Sequence, residues 1–160
     1  MREISAITNP LVNSYKRLNT GYEAPQYIAW SRTDRSSMIR VPEDRGFYTR
    51  LELRSPDSAA NPYLTLALFI AAGLEGIRDR IEPLTDAVDK DCLSDPSWRR
   101  DHRVESLPSD LGDALEAFGE SELAKKVLGE PICRWYLKAK MSEWNEYALQ
   151  VSQWELDKYL

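Results

Sequence analysis

Arg50-Leu51-Glu52-Leu53-Arg54-Ser55-Pro56-Asp57, followed shortly by Asn61-Pro62-Tyr63-Leu64, carries a change of period. Over the first five residues charged and apolar side chains alternate. A strand with that pattern puts Arg50, Glu52 and Arg54 on one face and both leucines on the other. Asn61 and Pro62 then read as a helix start. The amide side chain can accept orphan backbone N–H groups, and proline at the first helical position gives up an N–H that had no partner anyway. The apolar residues from Leu64 to Leu74 run almost all the way round that helix, which predicts that it is buried.

Upstream of this changeover, residues 9 to 56 are turn-rich and hold two more short β-type runs, Gln26-Tyr27-Ile28-Ala29-Trp30 and Met38-Ile39-Arg40-Val41. Downstream, residues 78 to 110 turn polar around Pro83, Pro96 and Pro108, and an irregular excursion is expected there. Ser109-Asp110 caps a helix through about Phe118, and Ser121 opens another through about Leu128. Leu137, Met141, Trp144, Ala148, Val151 and Trp154 then mark an amphipathic helix with a break near Val151. Short antiparallel strands in the N-terminal third followed by helices make the expected class α+β. The division expected is a strand-rich part over 1–56 and a mainly helical part over 57–160.

With 160 residues, 42% of them hydrophobic, the chain is large enough for one real core, which excludes wholesale disorder. The net charge of -5 argues against a protein built to grip nucleic acid, which needs an excess of Lys and Arg. Its first residues lack the apolar core of a signal peptide, and the longest apolar stretch is too short for the roughly 20 residues that span a bilayer. Cys92 and Cys133 form no CxxC pattern and suit a reducing compartment, although a single bridge between them stays open. The expectation is a cytoplasmic protein without a membrane segment.

The basic charge is unevenly placed. Between Arg32 and Arg54 there are six arginines, no lysine and four acids, so this stretch is +2 within a chain of net -5. Guanidinium offers a planar fork that meets carboxylate or phosphate oxygens two at a time, and solubility alone would be served as well by lysine. On the strand read at 50–54, same-face neighbours lie roughly 6.5 to 7 Å apart, a spacing suited to an anion or a metal held between them. The competing reading is a solvated charge ladder. His102, alone in the polar excursion, reads as a solvated histidine, and there is no GxGxxG, Walker loop or HExxH.

Taken in order, Asn9-Pro10, Asn13-Ser14-Tyr15-Lys16-Arg17-Leu18, Gly21-Tyr22-Glu23-Ala24-Pro25, Arg35-Ser36, Ile39-Arg40, Arg50 to Asp57 and Asn61-Pro62-Tyr63-Leu64 resemble the C-terminal part of the catalytic domain of type I glutamine synthetase. The match is dense over about 8–77 and looser to the end. The resemblance implies that Arg17, Glu23, Arg35 and Arg54 contact substrate glutamate, with Glu23 on a mobile flap and Glu23 and Arg35 in the catalytic set. It implies that Arg35, Arg40 and Arg50 face the phosphates of ATP, and that Glu52 ligates Mg or Mn. Glutamate, ammonia and ATP are then the substrates, and the complete enzyme is a homo-oligomer.

Two departures from the family pattern matter. Asp34-Arg35-Ser36-Ser37 stands where the family usually has Asn-Arg-Ser-Ala, and Leu93 stands where adenylylated members carry a tyrosine, so control by adenylylation is not expected. The family's N-terminal β-domain and the first half of its catalytic domain lie outside these 160 residues, and one glutamate cannot supply the roughly six oxygens that Mg or Mn takes. Two other readings are a γ-glutamyl ligase for a polyamine or other amine, and a non-catalytic fragment that binds nucleotide or associates with full-length subunits.

Overall fold

The computed structural model describes residues 1–19, 24–33, 35, 37–83 and 93–160. Helices α1 (Ser5–Thr8) and α2 (Ser14–Asn19) come first, then strands β1 (Tyr27–Ser31), β2 (Ser37–Arg40) and β3 (Glu52–Leu53), with a 3₁₀ turn at Gly46–Tyr48 between the last two. The rest is helical: α3 (Pro62–Arg78), α4 (Pro96–Asp101), α5 (Leu111–Gly119), α6 (Glu122–Leu128), α7 (Glu130–Ala148) and α8 (Gln153–Tyr159). The class is α+β, as the order of strand and helix signals predicts. None of the described helices is long and apolar enough to cross a membrane.

The caps explain where the helices start. Asn61 Oδ1 accepts the N–H groups of Tyr63 at 3.0 Å and Leu64 at 3.2 Å, with Pro62 next to the cap. Asp110 accepts from Asp113 N at 2.9 Å and Ser121 from Ala124 N at 2.9 Å, at the two sites read from sequence. Ser152 and Glu155 form a reciprocal capping box that restarts the chain as α8 after the break beyond Ala148. In the polar stretch α4 adds a helix the sequence reading lacks; Asp95 caps it through Ser97 N at 2.8 Å, and Pro96 opens it.

One core joins the N-terminal segment to the helices. Ile4, Ile7, Tyr15, Leu18, Leu68, Leu111, Leu115 and Phe118 are all buried in it. Tyr136 donates its hydroxyl to Ala6 O at 2.7 Å, and desolvation in this core pushes the phenol well above its usual range.

Three findings depart from the sequence reading. First, the sheet order is β1-β2-β3, but only β2 and β3 are antiparallel; β1 and β2 run parallel with an irregularity between Tyr27 and Trp30. A parallel return usually needs a long crossover. Here the strands are so short that the way back is only ~13 Å, which a handful of residues at ~3.3 Å each can span. Second, β3 is two residues long, where five read as strand. Its partner β2 ends at Arg40: Val41 N still bonds Ser31 O of β1 at 2.8 Å, and Pro42 has no N–H to offer the β3 side. Third, α3 buries only Leu68 fully, and Leu74 and Ile77 are 62% and 77% exposed. A helix apolar on all sides therefore leaves one side uncovered.

Helices α5 and α7 meet at a glycine. A Cβ on Gly112 would lie 2.6 Å from Trp144 Nε1 and 2.7 Å from its Cε2. Gly112→Ala is expected to destabilise the chain by about 1–3 kcal/mol through overpacking, and Trp144→Leu in the same chain should restore part of the loss. Urea unfolding of the three variants checks this, and equal midpoints for wild type and Gly112→Ala would refute the close packing.

Candidate active site

The antiparallel register of β2 and β3 sets Arg40 opposite Glu52 and Ile39 opposite Leu53. Arg40 and Glu52 thus share a face, and Arg40 Nη1 donates to Glu52 Oε2 at 3.2 Å and Oε1 at 3.4 Å. Arg50, two residues before the glutamate, donates from Nε to Oε1 at 3.1 Å and from Nη1 to Asp44 Oδ2 at 3.1 Å. The alternation read at 50–54 therefore does bring Arg50 onto Glu52. The second guanidinium on that carboxylate comes from Arg40 across the sheet. Arg54 turns instead to the backbone, donating from Nε to Arg35 O at 3.0 Å while its own N–H bonds Met38 O at 2.9 Å.

Partial burial pushes the Glu52 carboxyl up, but the hydrogen bonds and charges of Arg40 and Arg50 outweigh it and hold the group below the usual glutamate range. Glu52 is thus an anion throughout the neutral range. Arg40 Nε is buried with no hydrogen-bond acceptor. A buried donor left unmet costs about 1–3 kcal/mol.

Arg17, in α2, reaches across to the segment that carries the chain from β3 to α3. Its Nη2 donates to Ser55 O at 2.5 Å and Pro56 O at 3.2 Å. Asp57 N bonds Thr8 O at 2.8 Å. The Asp57 carboxyl, held low first by its bond from Ala59 N at 2.8 Å, closes the same turn. This clamp was not legible in the sequence, because it joins a side chain to carbonyls some forty positions away. Arg35 is exposed and linked to Arg54 through its carbonyl. Glu23 lies outside the described residues, as does Cys92. Leu93 is buried at 3%, and Cys133 is a free, buried thiol.

The described residues hold no group of three or more His, Cys, Asp or Glu side chains able to enclose a metal. Glu52 fits as one anionic oxygen ligand, but its two oxygens already face guanidiniums. A hard cation of six-oxygen habit needs further donors.

These features define the class: an α+β domain with arginines gathered around one carboxylate on a short sheet. Residues 1–159 match the family model for the glutamine synthetase catalytic domain, and the chain belongs to that family. It is 51% identical to a glutamine synthetase of Methanosarcina mazei over 100% of this chain and 36% of that protein. It is 48% identical to one of Thermus thermophilus over 97% of this chain and 35% of the relative. Among solved structures, a GmaS/ADP complex superposes with a TM-score of 0.82 at 35% identity, over 99% of this chain and 36% of that one. The chain therefore spans about a third of the length of the relatives it matches.

The ion pairs make the titration of Glu52 a direct test of the geometry. Its carboxyl is expected to titrate below the ordinary glutamate value of about 4.3, and Arg40→Met should move the midpoint up. A depressed carboxylate stabilises the fold above its unfolded pKa and loses that contribution as pH falls through the folded one, so the β2–β3 pairing should weaken only in acid. Side-chain carbonyl NMR over pH 2–7 reads both effects; an unshifted midpoint in wild type would refute the pairing.

Proposed function

We propose that this chain supplies one wall of the active site of an ATP-dependent glutamate–ammonia ligase, which makes glutamine through a γ-glutamyl phosphate. The observation that carries this reading is Glu52, ionised and flanked by Arg40 and Arg50, in a chain of the glutamine synthetase catalytic family. On this reading Arg40 and Arg50 face the phosphates of ATP. Arg54 and Arg35 hold glutamate, linked to each other by the bond from Arg54 Nε to Arg35 O. Arg17 sets the 55–57 turn from which the wall hangs and joins Arg35, Arg54 and the flap residue Glu23 in the glutamate set. Residues 1–56 form the active-site part and 57–160 the helical support.

Glu52 offers one oxygen to Mg or Mn, which when bound neutralises charge on the phosphoryl group in transfer. The remaining donors come from the part of the family's domain outside these 160 residues, and the complete enzyme is a homo-oligomer. Arginine forks placed beforehand stabilise the charge that develops on the transferred group without reorganising at the moment of reaction. Ammonia is favoured over a larger amine because relatives called glutamine synthetase are 51% and 48% identical, against 35% for the GmaS structure.

In the whole enzyme, Glu52→Gln is expected to lower kcat more than it raises the glutamate KM, since the lost interaction strengthens in the transition state. Arg54→Lys should do the reverse. The charge stays but the fork is lost, and the glutamate KM should rise about tenfold, equivalent to ~1.4 kcal/mol, with the ATP KM little changed. Steady-state kinetics with each substrate varied in turn separates the two, and near-wild-type constants in both variants would return the arginine–glutamate face to a solvated charge ladder. The 160-residue chain by itself is expected to release no phosphate from ATP with glutamate, ammonia and Mg or Mn. Turnover that disappears with Arg54→Ala would overturn that expectation.

A further inference from the structure

Helices α5, α6 and α7 meet around a cavity of about 270 Å³ that shares no residue with the sheet or its arginines. Its back is apolar. Phe118, only 1% exposed, and Leu137 form the wall, and Cys133 lies one turn before Leu137 on α7. Burial, above the other influences on it, pushes the Cys133 thiol up, as expected of a wall that disfavours charge. The mouth, by contrast, is charged: Lys125 and Arg134 supply two cations and Glu130 one acid. Glu130 and Arg134 stand four residues apart on α7 with the acid first, the order in which a helix ion pair forms most readily. Yet neither has a hydrogen-bonded or ion-paired partner among the described residues, and the Arg134 guanidinium lies only against the Trp135 ring, 6.0 Å from its centroid. Lys125 is held by Glu122 at 2.7 Å, but that acid is 85% exposed, and so open a pair is easily exchanged for another anion.

We propose that this cavity binds a small monocarboxylate with an apolar body. The carboxylate meets the planar fork of Arg134, with the charge of Lys125 beside it. The body lies on Phe118, Leu137 and Cys133, where it leaves water at no polar cost. Glu130 sets the limit on charge. A second anionic group, as in a dicarboxylate or a phosphate ester, would have to sit beside a carboxylate that no cation of the chain neutralises, and like-charge juxtaposition is how a site rejects a near relative of its ligand. The volume sets the limit on size: at ~30 Å³ per water the cavity holds about nine waters, room for a short branched acid such as 4-methylpentanoate and not for a long acyl chain. A bound acid ties Lys125 on α6 to Arg134 on α7 across Gly129, the residue with φ of 82° that joins the two helices. The site uses none of the residues assigned to glutamate, ATP or metal, so it stands or falls separately from the proposed catalytic activity.

The test is titration of the 160-residue chain with 4-methylpentanoate, followed by backbone amide NMR, with adipate as the dicarboxylate control. Saturable shifts centred on residues 118–137 are expected, with a Kd of about 1 mM, and adipate should bind about tenfold more weakly. Arg134→Gln should weaken the monocarboxylate about tenfold while leaving the thermal midpoint of the free chain unchanged, because the guanidinium is exposed and bonds nothing. Glu130→Gln should remove the preference over adipate. Cys133→Phe fills the cavity and should abolish binding with helix content, read by circular dichroism, kept. Absence of saturable shifts at tens of millimolar in the wild-type chain overturns the proposal. So does undiminished binding by Arg134→Gln, and so does adipate binding to the wild-type chain as tightly as 4-methylpentanoate.

Discussion

Everything at the candidate site depends on the register of a strand two residues long. Sliding β3 by one position against β2 would send Glu52 to the face now held by Leu53 and part it from Arg40. Two ladder residues cannot fix a register by themselves, so the constraint comes from the flanks. Arg54 N on Met38 O extends the pairing by one step, Arg17 holds the carbonyls of Ser55 and Pro56, and Asp57 N is tied to Thr8 O in α1. Asn61 then starts α3 with its own cap. The carboxylate is therefore aimed by the core of the N-terminal helices, through a tether that runs along the backbone after it.

That arrangement explains which parts of the fold were legible in the sequence. Asn61-Pro62, Asp110, Ser121 and the break near Val151 were readable because a cap is a local device, satisfied within three residues of itself. Helices α1 and α2 were not. At four and six residues they are too short to hold alone, and they stand because Ile4, Ile7, Tyr15 and Leu18 sink into a core completed by α5. The parallel pairing of β1 with β2 escaped for a related reason, since hydrophobic pattern reports a strand's faces and is silent on its direction.

The site itself was half legible. Alternation at 50–54 places Arg50 beside Glu52, and the structure shows that contact. The cross-strand partner, Arg40, follows from a register that no single strand encodes. The arginine enrichment between Arg32 and Arg54 has a local expression, because several of those guanidiniums are tied to acids or carbonyls of the same stretch: Arg40 and Arg50 on Glu52, Arg45 on Pro42 O, Arg54 on Arg35 O. A fork with several fixed donors can satisfy one neighbour with some of its N–H groups and leave another unmet, as Arg40 does with its buried Nε.

A helix that is apolar all round belongs inside a domain, and α3 obeys that rule on only one side. The same is true of the carboxylate chemistry. Glu52 is charged and oriented but outnumbered by cations, so the wall described here attracts anions and offers a hard metal a single ligand. If the proposed nucleotide and metal bind here, the site needs acids as well as arginines, placed so that neither sign prevails. Packing and electrostatics, which share no residues here beyond the sheet, thus leave this third of the family's length with an uncovered apolar face on α3 and an excess of cations around Glu52.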